Sequence, residues 1–157
     1  MAFLNASDIV DLAMQVEKNG EAFYHAVAKE TRSPQIRALF EDLADQEAKH
    51  YATFSRLAHT VREKPLMTDE EWDSYLKYMS ATVQSAFFEG PGKALAAARQ
   101  VKDEKEAVRM AIGFEKETLL FFYDLRDATQ GSEQSFVEKI VSEEKAHIRR
   151  LANVLQG

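Results

Sequence analysis

Leu43-Ala-Asp-Gln-Glu-Ala-Lys-His50 and Val141-Ser-Glu-Glu-Lys-Ala-His147 decide how this chain is read, because each sets a histidine three residues after a glutamate within a helical, apolar stripe. Residues three apart on a helix project from one face, a turn apart. Glu47 with His50, and Glu144 with His147, can therefore each turn a carboxylate and an imidazole toward one point. Two further glutamates stand where an apolar residue is expected: Glu17 between Ala13 and Gly20, and Glu115 after Ala111 and Ile112. A carboxylate facing a core costs several kcal/mol or more unless something compensates it. The alternative compensation is a buried network with Lys or Arg, but few basic residues fall on the same stripes.

The stripes belong to four long segments of helical period. The first runs from about Ser7 to Thr31, with Ile9, Ala13, Val16, Gly20, Phe23 and Val27 inward. Ser33 and Pro34 form a helix-start signal, and the second segment follows to about Arg62 through Ile36, Leu39, Leu43, Phe54, Leu57 and Val61. The third covers Asp103 to Ala128, with Val108, Ala111, Ile112, Leu119, Phe122 and Leu125 inward. Gly131-Ser132 ends it and caps the fourth, which carries Val137, Ile140, Val141, Ile148, Leu151 and Leu155. No strand is expected. The fold class is all-α: a four-helix bundle of two antiparallel hairpins, residues 7–62 and 103–156, within one domain spanning 1–157.

Residues 63–102 join the hairpins as a long, partly helical crossover. Thr68-Asp-Glu-Glu71 resembles a capping box opening a short helix through Trp72, Tyr75, Leu76 and Met79. Gly90-Pro-Gly92 breaks the chain, and Lys93 to Val101 can form a further turn or two of helix.

Symmetry ties the halves together. Glu17 and Glu47 lie equidistant from Arg32, next to the Ser33-Pro34 turn, and Glu115 and Glu144 are centred between Thr129 and Gln130. In an antiparallel pair, residues equidistant from the turn share one height, so each hairpin brings a Glu and a Glu-x-x-His to a common level. The local sequence repeats as well, Val16-Glu-Lys-Asn-Gly-Glu-Ala-Phe-Tyr24 against Phe114-Glu-Lys-Glu-Thr-Leu-Leu-Phe-Phe122. Two such hairpins packed with pseudo-twofold symmetry converge four carboxylates and two imidazoles on one cavity. A long crossover lets the second and third segments run parallel, as this packing requires. Four carboxylates balance two divalent ions, and oxygen donors with imidazole suit iron, manganese or zinc.

These residues resemble the ferritin-like di-iron carboxylate class, in which two helices give a Glu and two give Glu-x-x-His. More narrowly, Glu17-Lys-Asn-Gly-Glu-Ala-Phe-Tyr24, the Ser33-Pro34 turn and Leu43 to His50 are similar to the rubrerythrin branch. The resemblance covers most of the chain and is weakest in the crossover. It implies Glu17, Glu47, His50, Glu115, Glu144 and His147 as metal ligands, with Glu47 and Glu144 bridging. It also implies two iron ions cycling between Fe2+ and an oxo-bridged Fe3+ pair, with Mn or Zn as substitutes. The reaction implied is with H2O2 or O2, of ferroxidase or peroxide-scavenging type in oxidative-stress defence, run by the di-metal centre itself with an external electron donor. A small homodimer, with helices exchanged between subunits as an option, goes with that class. Two features depart from it. Without cysteine the chain has no rubredoxin module, and it carries Thr118 where the branch tends to place a further Glu linked to peroxide reduction. The competing functions are iron storage or delivery within a cage, and a structural or sensing bundle that binds metal without turnover.

Composition narrows the rest. The chain has 157 residues, 45% hydrophobic and 29% charged, with six glycines and three prolines, which is a helix-rich globular composition. The absence of cysteine excludes disulfides, iron–sulfur clusters and thiol catalysis. A net charge of −6 argues against nucleic acid or an anionic membrane as partner. Met1-Ala-Phe-Leu-Asn-Ala-Ser-Asp8 lacks the pattern of a signal peptide, and no stretch reaches the roughly 20 apolar residues of a membrane span, so a cytoplasmic protein is expected. His25 and His59 fall off the stripes and read as solvated. Tyr24, Tyr51 and Tyr123 read as packing residues whose hydroxyls find partners, with relay of electrons or protons near the site as the alternative. Phe121-Phe122-Tyr123 reads as core or oligomer interface, and Glu117 and Glu143 read as solvated neighbours of the ligands, with a supporting role behind a ligand as the alternative.

Overall fold

Helix-start chemistry sets the frame of the fold. The computed structural model describes residues 6–60, 68–82 and 90–157. They form α1 (Ala6–Glu30), α2 (Pro34–Thr60), α3 (Asp69–Thr82), α4 (Pro91–Arg99), α5 (Glu104–Ala128) and α6 (Gly131–Gln156). The expected end of the second segment at Val61 and Arg62, and crossover residues 63–67 and 83–89, lie outside the described residues. So do the side chains of Ile9, Trp72, Leu76 and Met79. Among the described residues there is no strand.

Ser33 opens α2 by accepting the Ile36 N–H at 3.3 Å through its hydroxyl. Arg37 reaches back from the first turn of α2 to the last carbonyls of α1, donating to Ala28 O at 3.3 Å and Thr31 O at 2.9 Å. Thr68 and Glu71 form the reciprocal capping box at α3, at 2.8 and 3.2 Å. Asp103 caps α5 by accepting from Glu106 N–H at 2.8 Å, and Glu106 reaches back to accept from Lys102 N–H, one residue before the cap, at 2.9 Å. The α5–α6 turn differs from the sequence expectation. Helix α6 begins at Gly131, with φ +64°, and not after it, so Ser132 is not the cap. Arg126 O is instead satisfied by Thr129 Oγ1 at 3.0 Å and the Gln134 amide at 3.3 Å, two partners that periodicity alone does not reveal.

Side-chain contacts fix the directions of the four long helices. Tyr24 meets Glu115, and Thr31 meets Glu104 at 2.7 Å, so α1 and α5 are antiparallel. His50 meets Glu143 at 2.8 Å and Asp42 meets Arg150 at 2.6 Å, so α2 and α6 are antiparallel too. With the α1–α2 and α5–α6 hairpins, this leaves α2 and α5 parallel, which only a crossover as long as the bundle permits. Helix α4 packs on α1 through the small buried side chains of Ala94 and Ala98. Inside, Val10, Phe23, Phe40, Leu43, Phe54, Phe114, Phe122, Leu125 and Leu151 make a continuous core. Of these, Val10, Phe40 and Phe114 were not on the stripes read from sequence. No helix among the described residues is long and apolar enough to cross a membrane.

Candidate metal centre

The core is interrupted at one level by polar side chains. Glu17, Glu47, Glu115 and Glu144 have no exposed surface, and His50 and His147 are buried with them. Each helix of the bundle contributes: α1 gives Glu17, α5 gives Glu115, α2 gives Glu47 and His50, and α6 gives Glu144 and His147. The structure thus brings together all six residues singled out in the sequence. Among the described residues, the ion-pair partners of these glutamates are the two histidines, not Lys or Arg.

The six fall into two overlapping quartets. Donor atoms of Glu17, Glu47, His50 and Glu144 lie within 4.8 Å of one another, and so do those of Glu47, Glu115, Glu144 and His147. Glu47 and Glu144 belong to both. His50 Nδ1 stands 2.9 Å from Glu144 Oε1 and 3.6 Å from Glu17 Oε1. His147 Nδ1 stands 2.8 Å from Glu144 Oε2, 3.3 Å from Glu47 Oε1 and 3.4 Å from Glu115 Oε1. These approaches have ion-pair distance without hydrogen-bond alignment. Both Nδ1 atoms, every carboxylate oxygen of Glu17, Glu47 and Glu144, and Glu115 Oε2 are buried without a hydrogen-bond partner. A folded protein satisfies nearly all such atoms, so a cluster of this size has lone pairs that fit a bound cation. The donor set of buried carboxylates and imidazole nitrogens fits two divalent ions.

Electrostatics describe the same strain. Burial, followed by the neighbouring carboxylates, holds the Glu47 and Glu115 carboxyls well above the usual range, and burial does the same to Glu17. Glu144, although equally buried, is pulled below the usual range because both histidines bear on it. Burial disfavours the imidazolium of His50, but Glu144 and Glu47 outweigh it and raise the group to about 9. His147 is raised further, since Glu115, Glu144 and Glu47 overcome its burial. Without metal, the cluster holds protons in the place of cations.

Three neighbours complete the site. The Tyr24 hydroxyl, fully buried, donates to Glu115 Oε1. Its ring is held edge-on by Phe40 and Phe114, with centroids 5.6 and 6.1 Å away. Gly20, one turn after Glu17, leaves room for the Phe114 ring and Glu47. A Cβ there would stand 2.7 Å from Phe114 Cε1 and 3.2 Å from Glu47 Oε2. Glu143 takes the alternative open to it in the sequence: partly exposed, it accepts from His50 Nε2 at 2.8 Å, because α6 crosses α2 at this level. His25 and His59 are exposed, and Phe121 and Phe122 are core. Tyr51 and Tyr123 sit at the edge of the bundle, with Lys18 over one ring and Arg126 and Lys145 over the other. Thr118 is buried one turn beyond Glu115, on the same face.

Solved structures share this architecture. A ferritin-like diiron-carboxylate protein from Thermotoga maritima superposes with a TM-score of 0.68 at 23% identity, over 98% of this chain and 95% of that one. KatB, a manganese catalase from Anabaena PCC7120, superposes with a TM-score of 0.68 at 15% identity, over 99% of this chain and 74% of that one. At such identities these likenesses concern the fold. No curated protein matches the sequence. The rubrerythrin family model matches residues 8–155, nearly the whole chain and a span that contains the centre, so this chain belongs to the rubrerythrin family.

Proposed function

We propose that this protein is a non-haem di-iron protein that reacts with hydrogen peroxide or O2, with ferroxidase or peroxide-scavenging activity. The observation that carries the reading is the pair of quartets sharing Glu47 and Glu144, with their lone pairs unsatisfied at the middle of a sealed core. Glu17 and His50 would hold one ion, Glu115 and His147 the other, and Glu47 and Glu144 would span both. Four carboxylates and two neutral imidazoles make the loaded site neutral, removing the desolvation cost that the bare cluster carries. Two bound iron ions would supply the electrons for reduction of the oxidant.

The chain's own residues supply geometry and dryness. Phe40 and Phe114 pack on Tyr24 beside the centre, and Phe23, Phe54 and Phe122 are buried in the same core. The Tyr24 hydroxyl fixes the rotamer of Glu115 and keeps its proton, since burial and then the Glu115 charge hold the phenol well above its usual range. Tyr24 is thus a hydrogen-bond donor at Glu115 Oε1. An external donor would return electrons, because the chain has no cysteine from which to build a rubredoxin-type site.

Anaerobic titration with Fe(II), counting ions per chain, tests the reading, followed by absorbance after addition of air or peroxide. Two ions per chain and a near-ultraviolet charge-transfer band on oxidation are expected, and the faster oxidant is the substrate. Tight binding of Mn(II) in preference to Fe(II), with peroxide disproportionation, would replace iron by manganese in the same residues. Absence of stoichiometric binding by either ion would overturn the proposal.

A further inference from the structure

The two Glu-x-x-His motifs are alike, but their surroundings are not. On α6 the residue before the motif is Glu143, and on α2 it is Gln46. Glu143 projects from α6 to α2 and accepts from His50 Nε2 at 2.8 Å, the one aligned hydrogen bond that either ring makes among the described residues. The opposite nitrogen of that ring, Nδ1, is buried without a hydrogen-bond partner among Glu17 and Glu144 oxygens. His50 is therefore bracketed. One nitrogen places its hydrogen on a carboxylate, and the other offers its lone pair to the cavity. A neutral imidazole carries a single N–H, so fixing it at Nε2 leaves Nδ1 free to ligate.

We infer that Glu143 is a positioning residue for His50 and makes the two metal positions inequivalent, the quartet of Glu17, Glu47, Glu144 and His50 being the tighter. The inference rests on the di-metal reading proposed above. A carboxylate behind a ligating imidazole fixes its tautomer and ring angle and raises its basicity, and losing such a partner lowers metal affinity about 10- to 100-fold. Gln46, at the matching position of α2, has no charge to offer in that role. The Glu143 side chain is 39% exposed and also borders a surface hollow with Arg56, Phe136 and Lys139, so replacing it leaves the core intact.

The test is calorimetric titration of the full chain with Mn(II), and with Fe(II) under anaerobic conditions, comparing wild type with Glu143→Gln. The expected wild-type isotherm has two steps. In Glu143→Gln the tighter step is weakened about 10- to 100-fold while the other is unchanged. The 15N resonances of the Zn(II)-loaded protein give a second readout that a merely structural role would not move. His50 should be protonated at Nε2 and ligated through Nδ1 in wild type, with faster exchange of the Nε2 proton in the variant. Two ions bound equally by both proteins, with unchanged His50 signals, would overturn the role of Glu143 and leave the di-metal reading standing. No ion bound by wild type would overturn both.

Discussion

The imidazoles of His50 and His147 lie nearly parallel across the centre, with ring centroids 5.6 Å apart and planes 19° from one another. They come from the two antiparallel helices α2 and α6, and each turns Nδ1 toward Glu144, at 2.9 and 2.8 Å. One carboxylate thus faces both rings through different oxygens. Glu144 belongs to both quartets, which makes them interdependent.

Sharing sets the outcome of ligand removal. Glu17→Ala deletes a donor from the His50 quartet alone, and Glu115→Ala from the His147 quartet alone. Each should lower the stoichiometry of tight Mn(II) or Fe(II) binding from two ions to one. Glu47→Ala and Glu144→Ala remove a donor common to both quartets and should abolish tight binding of the pair. Equal effects from all four variants in a metal count by atomic absorption would contradict the shared geometry.

The metal-free protein should lose stability as pH rises. Glu17, Glu47 and Glu115 have folded-state values above 4.5, so the stability linked to their protons is full below that pH and is lost above it. His50, raised from 6.5 to about 9, adds a loss over that interval in the same direction, as does His147. Glu144, whose value is lowered, contributes stability above 4.5 that fades only in acid. Metal binding displaces the protons and so strengthens with pH. Melting of the apoprotein should shift downward between pH 5 and 9, on the order of those limits, while the gap between loaded and apo melting temperatures widens. An apo melting temperature that rises over this window would count against proton storage in the cluster.

Tyr24→Phe removes a buried donor and leaves Glu115 Oε1 without its partner. Leaving such an acceptor unsatisfied costs about 1–3 kcal/mol, to be read from urea unfolding of the apoprotein. Because Tyr24 touches Glu115 and not Glu17, metal affinity should fall in the His147 quartet only. A variant with reduced stability but two unchanged binding steps would confine Tyr24 to packing.

Gly20→Ala tests the close approach of α1 and α5. The added methyl would overlap Phe114 and press on Glu47, and overpacking of this kind costs about 1–3 kcal/mol, against about 1 kcal/mol gained in helix propensity. Since Glu47 serves both quartets, both binding steps should weaken together. Gly113→Ala is the control, because nothing lies within 4 Å of a Cβ there.

Much of the centre was legible because helical period is a local property of the chain. Four glutamates on apolar stripes, two of them followed by histidine, name the six residues before any packing is known, and their distances from the two turns give a common height. The caps at Ser33 and Thr68 are equally local, set by short-range hydrogen bonds. The short helix α4 and the buried alanines that seat it on α1 were only partly foreshadowed, since a nine-residue segment has little periodicity to read.

What the tertiary structure decided are the contacts between hairpins. Tyr24 could be read as buried, but not as the partner of Glu115, and Gly20 lay on a stripe without any sign of the Phe114 ring that needs its space. Glu143 sits just off the inner face of α6 and reads from sequence as solvated or as a support behind a ligand, with no sign of which ligand. Only the rotation and crossing of α6 on α2 place its carboxylate against His50. The sequence by itself determined which residues each helix turns inward, because backbone hydrogen bonding fixes the period along one helix. Which of them meet across the bundle depends on axial register, rotation and separation of helices remote in the chain, and these are set by packing of the whole core.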